Sequence, residues 1–403
     1  MNILQLCNKV PYPPKDGGCI AMNNLTQGLL DLGHTVKVLS VNTKKHFIDI
    51  EKLPQEYRSK TNIEAVFIDT EIKITQAFLN LFTDKSYNIQ RFYSANFENK
   101  LIEILQSKTF DIVQLEGLYV SMYVDAIRKY SKAKIVFRAH NVEYKLWEHA
   151  TQLATNPLKK AYLKLLTKRL KQYELNSLPT FDAIATITKK DENHFKRAGF
   201  LKAMETLPFG IDLKNTIENN SVQEEYPSVF HIGAMDWQPN IEGLDWFLNN
   251  VWDKLNAKHP QLKLYLAGRN MSADLKRSNK PNVIIVGEVE NAQEFIESKG
   301  LMIVPLLSGS GMRVKIIEGL ALGKTIVTTS IGAEGIDCEN NKNCIIADDA
   351  TTFAEAISKC ISEKTFYNEI GKNAKILALQ QYNNADICKR LVQFYQKILT
   401  DNV

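Results

Sequence analysis

Short apolar runs rich in β-branched residues alternate with longer stretches of helical periodicity along the whole chain. That alternation predicts parallel sheets flanked by helices. In the first half the runs are Ile3 to Leu6, Val36 to Ser40, Ala65 to Ile68, Ile112 to Leu115, Ile135 to Arg138 and Ala183 to Ile187. The pattern restarts near residue 228, with strands expected at Val229 to Ile232, Leu262 to Ala267, Val283 to Val286, Leu301 to Val304, Thr325 to Thr329 and Cys344 to Ile346. A polar stretch from Asn215 to Pro227 precedes the restart and places a domain junction between 208 and 227. Each half opens with a strand, a loop and a helix, so the expected class is α/β with two Rossmann-like, doubly wound domains.

Composition narrows the function classes. At 403 residues the chain exceeds one ordinary core of ~150 residues, and 44% apolar with 24% charged residues describes a globular protein. Lys and Arg number 50 against 45 Asp and Glu, a balance of +5 that is too small for a dedicated nucleic-acid binder. The six cysteines, Cys7, Cys19, Cys338, Cys344, Cys360 and Cys388, form no Cys-x-x-Cys pair and have no His at ligand spacing. They read as reduced thiols, with no metal site. The amino terminus lacks the zones of a signal peptide and no apolar run approaches ~18 residues, so a cytoplasmic location is expected. Neither a Gly-x-Gly-x-x-Gly fingerprint, a Walker loop nor a Gly-x-Ser-x-Gly elbow occurs, which argues against a P-loop nucleotide hydrolase and a serine hydrolase.

The most informative segment runs from Pro305 to Lys324. A buried strand at Leu301 to Val304 feeds a small-residue loop, Ser308 to Gly311, and then a helix expected over Met312 to Leu322. Ser308 or Ser310 is placed to cap that helix, and Gly309 and Gly311 let a ligand reach the amides of Gly311, Met312 and Val314. Arg313 and Lys315 add two positive charges near the first turn, and Glu318 lies about sixty degrees around the helix from Lys315, able to accept hydrogen bonds from a sugar diol. The segment therefore offers partners for the phosphates and hydroxyls of a nucleotide-sugar. The alternative is a plain βαβ unit whose charges pair at the surface.

Other candidates follow strand ends. Gly17 and Gly18 stand where the first helix should begin, as an anion or sugar site or as a plain turn. His140, Asn141 and Glu143 follow the strand ending at Arg138, where a histidine can steady phosphate, polarise a hydroxyl or move a proton. Glu116 with Gly117 ends another strand, as an acceptor contact or a helix-terminal carboxylate. In the second half Val286 and Gly287 are placed to meet a base, and Arg269 to reach phosphate, although loop punctuation explains the glycines equally well. Residues 158–173 read as a basic amphipathic helix, with Leu158, Ala161, Tyr162, Leu165, Leu166, Leu170 and Tyr173 on one face. Either that face packs into a core with the lysines solvated, or the helix lies on an anionic membrane.

Gly17-Gly18, the run His140-Asn141-Val142-Glu143 and the segment Ser308 to Gly323 together resemble the retaining glycosyltransferases of family 4, of the GT-B fold. The resemblance implies two Rossmann-like domains, 1–208 and 209–385, facing a central cleft, and a terminal helix at 386–403 that returns to the first domain. It implies a UDP- or GDP-sugar donor held mainly by the second domain, a saccharide or lipid-linked saccharide acceptor held mainly by the first, and no cofactor or metal. The expected setting is surface-polysaccharide synthesis at the inner face of the cytoplasmic membrane. Two family features are missing. Glu318 matches the second of two glutamates, but the first falls at Ser310. The Arg and Lys that follow the first strand of the second domain are also absent, because the region reads Gly233-Ala-Met-Asp-Trp-Gln-Pro. We expect Arg313 and Lys315 to supply that charge, with His140 steadying the donor sugar. A nucleotide-sugar 2-epimerase and a catalytically degenerate partner subunit of the same fold are the alternatives.

Overall fold

The computed structural model describes residues 1–14, 16–212, 222–277, 279–309 and 311–400. Ser310 and much of the expected junction lie outside the described residues. The chain forms two compact units, Met1–Gly210 with Ala385–Val403, and Ile211–Asn384.

The first unit is built on a 7-stranded sheet. Its strands are β1 (Asn2–Cys7), β2 (Thr35–Asn42), β3 (Glu64–Phe67), β4 (Ile112–Glu116), β5 (Lys134–Ala139), β6 (Ala183–Thr186) and β7 (Ala203–Thr206), in the order β3-β2-β1-β4-β5-β6-β7. All neighbours are parallel. β4 and β6 are buried at every position, as a strand covered by helices on both faces must be. β7 was not expected from the sequence. It is an edge strand, Ala-Met-Glu-Thr, half-buried at each residue, and it lacks the β-branched run that marks the central strands.

One face of this sheet packs Leu4, Val113, Ile135 and Phe137 against Phe97, Leu101, Leu170 and Phe195. The other packs Ile3, Val36, Val136 and Ala185 against the first helix, Gly17–Asp31, and the final helix, Asn384–Thr400. Ile387, Cys388, Leu391, Phe394, Tyr395 and Ile398 recur at helical spacing and form the buried stripe of that final helix. Its Tyr395 hydroxyl also donates to Gln114 Oε1 on β4. The terminal helix is thus part of the first unit's core.

The long helix Pro157–Ser177 buries Leu166 and Leu170 but leaves Leu158 84% exposed, so the apolar stripe expected to begin at Leu158 is not continuous. Its inward face also carries Arg169, whose Nη1 donates to Asn80 O and Oδ1 and whose Nη2 donates to Leu81 O. Core packing, rather than a free apolar face, accounts for its periodicity.

The second unit carries a 6-stranded parallel sheet of β8 (Glu225–Ile232), β9 (Lys263–Ala267), β10 (Val283–Gly287), β11 (Lys299–Val304), β12 (Ile326–Thr328) and β13 (Ile345–Ile346). The order is β10-β9-β8-β11-β12-β13. Its core joins Leu264, Leu266, Ile303 and Val327 to Phe247, Trp252 and Phe353.

Leu391→Ala tests whether the final helix is structural. The side chain is fully buried, so its truncation is expected to cost ~2–5 kcal/mol. Chemical denaturation followed by circular dichroism measures this, and a cost below about 0.5 kcal/mol would contradict the packing described.

Candidate functional site

In an open parallel sheet a crevice forms at the strand C-termini where the strand order reverses. In the second unit that point lies between β8 and β11. The turn after β8 begins at Gly233, and the loop after β11 runs from Pro305 into the helix Val314–Ala321. The backbone is tightly drawn there. A Cβ on Gly268 would lie 1.8 Å from Gly233 O, and Gly268 has φ +148°, so only glycine serves at this crossing.

Lys315 is the centre of the site. Its Nζ donates to Asn240 Oδ1 at 2.8 Å and lies 3.4 Å from His231 Nε2. Asn240 Nδ2 donates to Ala234 O at 2.8 Å, which fixes the amide with its oxygen toward the lysine. His231 Nδ1 lies 3.0 Å from Ile303 O, a group that only accepts, so Nδ1 carries the proton and Nε2 presents a lone pair to Lys315. Burial and then the Lys315 charge hold His231 well below the usual imidazole range, consistent with a neutral ring. The ammonium therefore rests on two neutral acceptors. A Cβ placed on Gly233 would be 3.2 Å from Nζ, so the lysine from the helix fills the space beside that turn.

Arg313 stands next to it as the residue that precedes the helix. The residue is 6% exposed, and its guanidinium donates from Nη1 to Gly311 O at 2.5 Å and lies 5.3 Å from the centre of the Trp237 ring. Burial brings its pKa down to about 10, against the opposing charge of Glu334. Burial, followed by repulsion from Arg313, brings Lys315 down to about 7. Two cations are held together where water is scarce, which is an arrangement that favours an anion.

The helix begins at Val314, two residues later than expected, and no side chain caps it. Ser308 does not cap because its hydroxyl donates to Glu242 Oε2 at 2.7 Å. Gly311, Met312 and Val314 line the entry to the helix with both cations, and Met312 and Val314 are buried. Glu318 sits one turn after Lys315, half-buried, with its pKa raised by burial and no hydrogen-bond partner for its carboxylate among the described residues. Arg269 follows β9, and its carbonyl accepts from Met235 N at 2.9 Å, which joins its turn to that after Gly233. Gly287 O accepts from Gly268 N at 2.7 Å, so the ends of β8, β9 and β10 adjoin. Val286, beside Gly287, is 39% exposed on the edge strand. His231, Asn240 and Trp237 were not singled out from sequence. The only signal was one polar residue inside the apolar run Val229-Phe-His-Ile232.

In the first unit, β4 and β5 bring Glu116 and His140 together. His140 Nε2 lies 2.6 Å from Glu116 Oε2, Arg138 Nε lies 4.0 Å from the same oxygen, and Gln114 Nε2 donates to Oε1. Burial raises the Glu116 pKa, but the His140 hydrogen bond, the His140 and Arg138 charges and Gln114 outweigh it, and the net shift is downward. Glu116 is fully buried and holds His140 from beneath, so of the two roles open to it, acceptor contact or helix-terminal carboxylate, neither is the contact it makes here. His140 itself keeps 13% of its side chain exposed. Asn141 is half-buried beside it. The next helix, Glu143–Leu153, has its first two amides bonded to Glu174, Glu143 N to Oε1 and Tyr144 N to Oε2, each at 3.0 Å. This fixes the turn that carries His140. Glu143 is turned to the Tyr119 hydroxyl, 3.0 Å away. Gly17 and Gly18 do open the first helix, but Asp16 already accepts from Cys19 N and from Lys9 Nζ, at 3.0 and 2.6 Å. A carboxylate occupies the place offered to an anion.

Residues 226–363, most of the second unit, match the family described as glycosyl transferases group 1. Over those residues the chain is similar to the group 1 glycosyltransferases. Its fold is shared with sucrose-phosphate synthase from Thermosynechococcus elongatus, with a TM-score of 0.70, 16% identity and 99% of each chain covered. HepE of Anabaena, solved in complex with UDP, gives a TM-score of 0.66 at 13% identity over 98% of this chain and 100% of that one. The pneumococcal O-GlcNAc transferase GtfA, solved with UDP and GlcNAc, gives 0.67 at 10% identity over 100% and 99%. These likenesses establish the GT-B fold. A curated relative from Klebsiella pneumoniae, an uncharacterized 44.6 kDa protein in the cps region, is 24% identical over 96% of this chain and 97% of its own.

The depressed Lys315 has a consequence for the stability of the ligand-free glycosyltransferase. An unfolded lysine titrates near ~10.4, so between about pH 7 and that value the unfolded state binds more protons and folding stability rises with pH. Lys315→Met is expected to raise the melting temperature near pH 7 and to remove that part of the rise toward about pH 9. Parallel profiles for the two proteins would show Lys315 to be an ordinary lysine.

Proposed function

We propose that this glycosyltransferase moves a sugar from a nucleoside diphosphate donor, with UDP or GDP as the nucleotide, to a saccharide or lipid-linked saccharide with retention at the anomeric carbon. The observation that carries the reading is the Lys315 ammonium, held by neutral acceptors beside Gly233 and next to Arg313. Lys315 lies beside the turn after β8, from which the resemblance calls for charge, and Arg313 adjoins it. No metal is required in this reading, because Arg313 and Lys315 compensate the diphosphate.

As the bond from anomeric carbon to phosphate oxygen breaks, the sugar gains oxocarbenium character and negative charge grows on the leaving diphosphate. Cations fixed in advance stabilise that charge more than they stabilise the intact donor. The amides at Gly311, Met312 and Val314 add dipoles of the same sense, and the leaving phosphate is available to take the acceptor proton. Glu318, with its carboxylate unengaged, accepts from the ribose diol. His140, oriented by Glu116, steadies the donor sugar. Arg269 assists the phosphates, and the Val286-Gly287 edge faces the base. A setting in surface-polysaccharide synthesis is supported by the cps-region relative.

A thermal-shift panel of UDP-, GDP-, ADP- and CDP-sugars tests donor class, since a ligand at ~100 times its dissociation constant stabilises by ~2.7 kcal/mol. A UDP- or GDP-sugar should shift the melting temperature, and no shift with any member would contradict the reading. Charge-assisted hydrogen bonds contribute ~1.5–3 kcal/mol, so Arg313→Ala is expected to weaken nucleoside diphosphate binding about tenfold or more. Unchanged affinity in a folded variant would remove Arg313 from the site. Because the anion draws a proton onto Lys315, affinity should also fall between about pH 7 and about pH 9, and Lys315→Met should abolish that fall.

A further inference from the structure

A chain of hydrogen bonds runs from the final helix, Asn384–Thr400, through the core of the first unit to His140. The Tyr395 hydroxyl donates to Gln114 Oε1, Gln114 Nε2 donates to Glu116 Oε1, and Glu116 Oε2 meets His140 Nε2 at 2.6 Å. Tyr395, Gln114 and Glu116 are each 0% exposed, so water takes no part until the histidine is reached. Packing the helix on the sheet needs only the apolar stripe of Ile387, Leu391 and Phe394. A buried polar network costs stability unless every member finds its partner, and this one ends on a side chain that reaches the surface.

The network has one polarity. Because the tyrosine hydroxyl donates to Oε1, the Gln114 amide is fixed with its nitrogen toward Glu116, and the opposite orientation would set two acceptor oxygens against each other. Glu116 is held ionised. Burial opposes this, but the His140 hydrogen bond, the His140 and Arg138 charges and the Gln114 hydrogen bond bring its pKa down overall. A carboxylate only accepts, so the proton between it and the ring belongs to His140 Nε2. In the neutral ring Nδ1 then carries a lone pair. Nδ1 makes no hydrogen bond among the described residues and is not enclosed. The Phe209 ring stands at 83° to the imidazole with centres 6.0 Å apart, which steadies the plane of the ring. A lone pair accepts from a sugar hydroxyl and repels a phosphate oxygen, so of the roles open to a histidine here the geometry selects the hydroxyl contact.

We propose that Tyr395 is a positioning residue: through Gln114 and Glu116 it fixes the proton of His140 on Nε2, so that Nδ1 accepts a hydrogen bond from a sugar hydroxyl. Tyr395 itself touches no substrate. The hydroxyl contact rests on the reading of this chain as a nucleotide-sugar transferase, whereas the relay behind it rests on the first unit alone.

Nuclear magnetic resonance of the full chain with isotope-labelled histidine rings tests the relay without substrate or variant. Above the ordinary imidazole value of ~6.5, the His140 signals should show a protonated Nε2 and a bare Nδ1. Tyr395→Phe keeps the aromatic ring and removes the hydroxyl, and should make the Nε2 proton exchange faster with water. With the UDP- or GDP-sugar that gives the largest thermal shift, kcat for nucleotide release should fall about threefold to tenfold with KM little changed, as expected for one lost hydrogen bond. Leu391→Ala, on the same helix, should lower stability yet leave the ring signals and kcat as in the wild type. A proton on Nδ1 in the wild type would overturn the proposal. So would a folded Tyr395→Phe protein with wild-type ring signals and kcat, or a Leu391→Ala protein that shifts both equally. If no nucleotide-sugar binds, the donor reading fails and the hydroxyl contact with it, an outcome visible as absent thermal shifts whatever the ring spectrum shows.

Discussion

Placing two positive charges side by side away from water is unfavourable unless something negative joins them, and the second unit is arranged around that constraint. Lys315 is held by an amide oxygen and an imidazole lone pair, neither of which cancels its charge. Asn240 is itself oriented by Ala234, and His231 by Ile303, so each neutral acceptor is fixed by a backbone carbonyl. Had a carboxylate taken the place of Asn240, the lysine would be satisfied and the site would hold its anion permanently. Under the proposed function, the stabilisation withheld in the free protein would be released when a diphosphate enters, and further as charge accumulates on the leaving group.

The fold delivers this arrangement through ordinary rules of parallel sheets. Reversal of strand order between β8 and β11 opens the sheet at its C-terminal edge, and the helix after β11 brings its first turn to that edge. Glycine at 233 leaves room beside the turn, and glycine at 268 lets two loops approach more closely than a side chain permits. The first unit repeats the plan with a different outcome. There the N-terminus of the first helix is closed by Asp16 with Lys9, and His140 stands after β5, supported from below by Glu116.

Much of this was legible in the residues alone. Twelve of the strands follow from apolar runs, because buried parallel strands leave little room for polar positions, whereas β7 escaped notice as a half-buried edge without such a run. Arg313, Lys315 and Glu318 could be read as a group because they share one short helix and its entry. Their partners could not, since His231 and Asn240 come from elements far away in sequence and meet Lys315 only through the topology. The helix Pro157–Ser177 shows the limit of periodicity from the other side. Its apolar and basic residues were counted correctly, but only the packing reveals that the apolar face turns inward while the neighbouring segment 72–82 carries the exposed one.

The titration of Lys315 tests the central claim most directly. Nuclear magnetic resonance of the protein with labelled lysine side chains, with and without UDP, would follow its ammonium. The account predicts a pKa of about 7 in the free protein and a rise above about 9 when the diphosphate binds. A value near ~10.4 in the free protein, or one that UDP leaves unchanged, would contradict it.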